Sequence, residues 1–163
     1  MERIEYRDVK DKSTWLRGVW DNEPDKIQWQ DETTGLPCLI VRGPHGALCG
    51  YVGVAPGHPL FEQSGDDLDA HGGITYGATC QEGANESKGI CHKPGAGEPD
   101  HVYWFGFDCA HAGDFCPKFD TNLGAPTGWG EPVTYRDIPY VEGQCRDLAR
   151  QLVAVTNGIR EGE

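Results

Sequence analysis

The chain has 163 residues, with 14 Lys and Arg against 26 Asp and Glu, giving a formal net charge of −12. This length supports one domain with its own core, and an acidic surface repels phosphate backbones, which excludes sequence-independent nucleic-acid binding. No apolar run approaches the ~20 residues of a membrane span, and MERIEYRDVKDK lacks the apolar stretch of a signal peptide, so a cytoplasmic protein without membrane contact is expected.

Trp15, Val19 and Trp20 predict a helical turn or two near the start. Five short strands follow, at Lys26 to Gln30, Leu36 to Arg42, Leu48 to Val54, Ile74 to Cys80 and Val102 to Asp108, separated by Gly, Pro and Asp. The short links Thr34-Gly35 and Pro44-His45-Gly46 favour antiparallel hairpins, because parallel pairs need long crossovers. Residues 82–100 read as a long surface loop centred on Cys91-His92, and 117–132 as a second. At the C-terminus Ile138, Val141, Cys145, Leu148, Leu152 and Val155 step by 3 or 4 and form one apolar stripe. The spacing predicts a helix over 137–156, with Asp137 as its cap, Asn157-Gly158 as its stop and a close neighbour at Gly143. The expected fold is α+β: a single domain holding a mostly antiparallel sheet of about five strands, with the helix on one face.

Seven Cys without a secretory signal are expected as reduced thiols. Cys38, Cys49 and Cys145 fit strand or helix faces of a core. Cys80, Cys91, Cys109 and Cys116 are candidate ligands of a structural zinc, although no pair has C-x-x-C spacing. Cys80 and Cys91 could instead close the long loop as a disulfide, and Cys109 beside His111 is a candidate nucleophile if its thiol pKa is lowered.

The strongest local signal is Phe105-Gly106-Phe107-Asp108-Cys109-Ala110-His111-Ala112-Gly113-Asp114, a strand that ends by releasing Asp, His and Asp at a sheet rim. Side chains there can be held rigidly while facing a cleft. They can equally cap turns. A second signal, His71-Gly72-Gly73-Ile74-Thr75-Tyr76, places a His and two Gly before a strand; Gly-Gly admits a ligand to the backbone or makes a plain turn. If these two strands pair antiparallel, His71 comes beside Asp108 and His111. The candidate catalytic residues are therefore His71, Asp108, His111 and Asp114, with Gly72, Gly73, Tyr76 and Trp104 as candidate ligand contacts. Trp129 is a further aromatic that could stack on a base. His71, Asp108 and His111 are also the candidate ligands of a divalent metal such as zinc that would activate water. His111 is expected to matter for ligand handling more than for folding.

The series Cys49-Gly50-Tyr51-Val52-Gly53-Val54, His58-Pro59, His71-Gly72-Gly73-Ile74-Thr75-Tyr76, Trp104 to Asp114 and Tyr135-Arg136-Asp137 resembles a family of small uncharacterised proteins of bacteriophages and prophages. The likeness covers about residues 37 to 155, with HGG-[IL]-T and GFD-x-x-H-x-x-D as its motifs. It implies a shared pocket around His71, Asp108, His111 and Asp114, and a phage setting in the host cytoplasm. Similar sequences often carry Thr at the position of Cys109, which speaks against a family-wide cysteine metal site.

Two principal functions follow as expectations. In one, a phage accessory protein with a counter-defence role binds a small polar, nucleotide-derived ligand in its His/Asp pocket, with or without metal-dependent hydrolysis. In the other, Asp21, Glu23, Asp25, Asp31, Glu32, Glu62, Asp66, Asp67 and Asp69 form an acidic face that mimics nucleic acid and blocks a host protein without catalysis. A zinc-stabilised structural module is a third.

Overall fold

The computed structural model describes residues 1–80, 85–120 and 133–161. Six strands form one fully antiparallel sheet: β1 (Ile4–Tyr6), β2 (Lys26–Gln30), β3 (Pro37–Arg42), β4 (Leu48–Val54), β5 (Tyr76–Thr79) and β6 (Tyr103–Asp108), in spatial order β1-β2-β3-β4-β6-β5. The α+β class and the antiparallel sheet agree with the sequence reading, with one strand more than expected. Helix α1 (Ile138–Glu161) lies across β3 and β4. Among the described residues no helix is long and apolar enough to cross a membrane.

Strand alternation sorts the side chains into two layers. Ile27, Cys38, Ile40, Leu48, Val52, Phe105 and Phe107 face α1 and meet Val141, Cys145, Leu148, Ala149 and Leu152, all buried. Full burial of each larger aliphatic or Phe side chain here contributes about 1.5–3 kcal/mol. Leu39, Val41, Cys49, Tyr51 and Trp104 face the other way, beneath the strap of residues 85–98, whose Ile90 packs on them. A smaller third core joins Trp15, Trp20 and Phe115; Trp20, within the 3₁₀ turn Val19–Asn22, stacks on Phe115 at 5.3 Å and meets the edge of Tyr135 at 5.0 Å.

The helix begins as its cap predicts, with the Tyr140 N–H donating to Asp137 Oδ1 at 3.1 Å. Pro139 sits in the first turn, where its missing N–H costs nothing. Two expectations about α1 fail. Asn157-Gly158 does not stop it, since Gly158 remains helical and the helix continues to Glu161. Gly143 has no close neighbour either, because a Cβ built there meets nothing within 4 Å. Packing against the helix does require a glycine at Gly50, in β4 beneath it: a Cβ there would lie 2.4 Å from Phe107 Cζ and 2.9 Å from Cys145 Sγ. Gly50→Ala is expected to cost about 1–3 kcal/mol by overpacking. Urea denaturation reads this directly, and a loss below about 0.5 kcal/mol would show that Phe107 swings aside freely.

The thiol expectations also change. Cys80 and Cys91 form a disulfide with Cα atoms 4.8 Å apart, a separation that a disulfide spans. They are therefore not reduced thiols and cannot join Cys109 and Cys116 as four zinc ligands. Cys38, Cys49 and Cys145 are buried, as their strand and helix faces predict. Most of the loop expected over 117–132, with Trp129, lies outside the described residues.

Candidate functional site

The sheet edge where β6 ends gathers both sequence motifs. Asp108 closes β6, and its carboxylate accepts the Ala110 N–H at 3.1 Å and the Thr75 hydroxyl at 3.1 Å. The chain then turns tightly through Gly113, at φ 91°, and the Asp114 N–H donates back to the His111 carbonyl at 2.9 Å. This turn buries the Asp114 side chain, which is 1% exposed. Because β5 pairs antiparallel with β6, the segment before β5 runs beside the same edge and delivers His71.

Asp114 is the hub. Its carboxylate accepts from His71 Nε2 at 2.8 Å, from Arg136 Nε at 2.9 Å and from the His111 backbone N–H at 3.0 Å. Burial raises its pKa, but the hydrogen bonds from His71, Arg136 and the His111 backbone outweigh that effect and hold the carboxyl below its usual range. On the other side of the imidazole, Nδ1 of His71 lies 2.7 Å from the Tyr140 hydroxyl. A carboxylate only accepts, so Nε2 carries the proton in the neutral ring, and Nδ1 then accepts from the Tyr140 O–H. The result is a linear relay, Asp114–His71–Tyr140, with the Arg136 guanidinium 5.0 Å from the Tyr140 ring centre.

Helix α1 fixes this geometry from below. Gln144 Oε1 accepts the His71 N–H at 2.9 Å, and Gln151 clamps Asp69 through two bonds, accepting its N–H at 2.7 Å and donating to its carbonyl at 2.8 Å. Between the loop and the helix lies an open cavity of about 300 Å³ lined by Asp69, His71, Tyr140, Gln144, Asp147 and Gln151.

His111 Nε2 is 3.1 Å from Asp108 Oδ1, without hydrogen-bond alignment, and its ring centre is 6.1 Å from that of His71. All four candidate catalytic side chains thus stand at one edge, as two pairs: His71 with Asp114, and His111 with Asp108. Gly72, at φ 71°, lies flat against the His111 ring, where a Cβ would fall 2.1 Å from Cδ2. Its close approach is to protein. Gly73, at φ 86°, is open.

Other expected members are elsewhere. Tyr76 stands edge-on to Tyr51, and Trp104 is fully buried beneath the strap against His92, both on the sheet face opposite the helix. Neither reaches the His71 cavity. The metal reading does not fit, because both ring nitrogens of His71 are engaged and, among the described residues, no group of three His, Cys, Asp or Glu is arranged to hold an ion. Cys109 is 1% exposed, and burial pushes its thiol pKa up, the reverse of what a nucleophile needs. Of the acids read as an outward face, Glu23, Asp25 and Asp31 are buried in ion pairs or turn hydrogen bonds. Asp21 accepts the Gly18 N–H, which leaves Glu32, Glu62, Asp66, Asp67 and Asp69 exposed.

Tyr140, Gln144 and Gln151 were not among the sequence candidates, yet with Asp147 they step by 4, 3 and 4 along α1 and form a polar stripe beside the apolar one. Comparison of the chain with models of known protein families, with curated proteins and with solved structures gives no match.

Proposed function

We propose that the chain is a phage-type accessory protein that binds a small polar ligand in the cavity at His71 and Tyr140 and handles a proton on it. The observation that carries this reading is the Asp114–His71–Tyr140 relay opening onto a cavity lined by amides and carboxylates. Asp114 fixes the imidazole tautomer, and when Tyr140 takes a proton from a bound molecule its own passes to Nδ1 of His71, leaving an imidazolium beside the Asp114 carboxylate. The cavity lining holds Asp69 and Asp147 and, among the described residues, no Lys or Arg, while Asp147 pairs with Arg150 at 3.5 Å; this favours an uncharged polar ligand over a phosphate, and a nucleoside satisfies both this chemistry and the expectation of a nucleotide-derived molecule.

Tyr140→Phe tests the reading, since it removes the hydroxyl and leaves the ring. Stability is expected to fall by only about 1 kcal/mol, the net worth of one hydrogen bond. In ligand-observed NMR with a panel of nucleosides, amines and sugars, a compound that binds the wild type should bind Tyr140→Phe at least about tenfold more weakly, a loss of ~1.4 kcal/mol. If every compound that binds the wild type binds Tyr140→Phe and His71→Gln equally well, the cavity is not the site.

A further inference from the structure

Lys26 points from β2 to the sheet face away from the helix and is 1% exposed. A buried ammonium needs three acceptors, and the strap supplies them: Lys26 Nζ donates to the carbonyls of Glu86, of Gly89 at 2.7 Å and of Cys91 at 2.9 Å. Glu86 and Gly89 lie between Cys80 and Cys91, inside the ring that the disulfide closes. The strap beyond that ring has its own anchor, where the Gln28 amide accepts the Lys93 N–H at 2.8 Å and donates to the Lys93 carbonyl at 3.1 Å.

The remaining thiols are chemically quiet. Cys38, Cys49, Cys109 and Cys145 are buried and Cys116 is half-buried; burial lifts Cys116 to about 11 and Cys49 to about 12, and pushes Cys38, Cys109 and Cys145 up as well. Cys80 and Cys91 are only half-buried, on a surface strap that a second thiol can reach.

We propose that Cys80–Cys91 is a redox modification site whose co-reactant is a dithiol, and that opening it withdraws the Glu86 and Gly89 carbonyls from Lys26 and admits solvent to the ammonium. One thiolate of the dithiol attacks a cysteine sulfur and displaces the other as a thiolate. The second thiol of the reagent then closes on the mixed disulfide, leaving two protonated cysteines and one oxidised, cyclic disulfide. The Gln28 anchor stays in place, so the release is confined to the part of the strap before Cys91.

The test is amine acetylation by an N-hydroxysuccinimide ester, read residue by residue by mass spectrometry, on oxidised protein and on protein reduced with dithiothreitol. Near pH 8 an exposed lysine is acetylated readily, whereas a buried ammonium donating to three carbonyls is withheld from the ester, so labelling of Lys26 reports access. Exposed Lys118, outside the disulfide ring, serves as the internal reference. Labelling of Lys26 relative to Lys118 should rise at least about tenfold on reduction, and Cys80→Ser/Cys91→Ser should match the reduced protein without reductant. Three results would overturn the proposal: Lys26 still protected when both cysteines carry iodoacetamide adducts, a disulfide that resists dithiothreitol until the protein melts, or reduction that abolishes the near-UV circular dichroism of the whole fold. If the double variant does not fold, the reduced wild type decides alone.

Discussion

Arg42→Ala is expected to destabilise the fold by about 3–5 kcal/mol, the cost of removing one partner from a buried ion pair. The Arg42 side chain is fully buried at the end of β3, where Nε donates to Asp25 Oδ1 at 2.6 Å, Nη2 reaches Glu23 Oε1 at 3.4 Å, and Nη1 donates to the Gly46 carbonyl at 2.9 Å and the Tyr135 hydroxyl at 2.8 Å. Truncation leaves Glu23 without its cation and Asp25 with Lys12 alone, 2.8 Å away. Glu23 also accepts the Ile138 N–H at 2.9 Å, so the loss reaches the start of α1. The pH dependence has a definite sign. Burial raises the Asp25 pKa, but Lys12, the Lys10 N–H and Arg42 outweigh burial and hold it low. Its contribution is therefore present above the unfolded carboxyl value of about 4 and is lost as pH falls through the depressed one. Urea denaturation at pH 7 and pH 3 measures both effects. A penalty under about 1 kcal/mol at pH 7 would show that water fills the site and solvates the two acids.

That cluster was hidden from the sequence for a physical reason. Arg42 ends the run Leu39-Ile40-Val41-Arg42, where a charge normally marks the exit of a strand to solvent, and only the register Lys26↔Val41 puts Asp25 opposite it. Lys26 was hidden in the same way, because nothing local says that a loop 60 or more residues later will cover it with carbonyls. β1 escaped because three residues in a charged N-terminus carry too little alternation, and pairing with β2 makes the strand. By contrast β2 and β4 lie at the limits the sequence predicts, since Asp25 and Asp31 flank the first and Gly46 and Pro56 stand one residue outside the second. The site was half legible. Strand-end placement brought His71, Asp108, His111 and Asp114 together, whereas Tyr76 and Trp104 were assigned by residue type alone, and strand alternation turns them to the other face.

Asp114→Asn should lower stability by about 2–3 kcal/mol, because hydrogen bonds to a charged, buried group are removed while the donors around it stay. The change keeps the shape of the side chain. An Asn has one carbonyl oxygen for three donors, His71 Nε2, Arg136 Nε and the His111 N–H, and its amide hydrogens must face at least one of them. Should the amide face His71, the imidazole flips its tautomer and Nδ1–H points at Tyr140, which reverses the relay. Nitrogen-15 spectra of the His71 ring are expected to show Nε2 protonated in the wild type and an altered tautomer balance in the variant. The Asp114 carboxyl is held below its unfolded value, so its stabilisation exists above about pH 4 and fades as pH falls through the depressed value. The stability gap between wild type and variant should accordingly narrow in acid. A gap that stays constant from pH 7 to pH 3 would mean that lost packing, and not the carboxylate charge, sets the cost. With unchanged ring spectra as well, Asp114 would fix the turn after β6 but not the tautomer of His71.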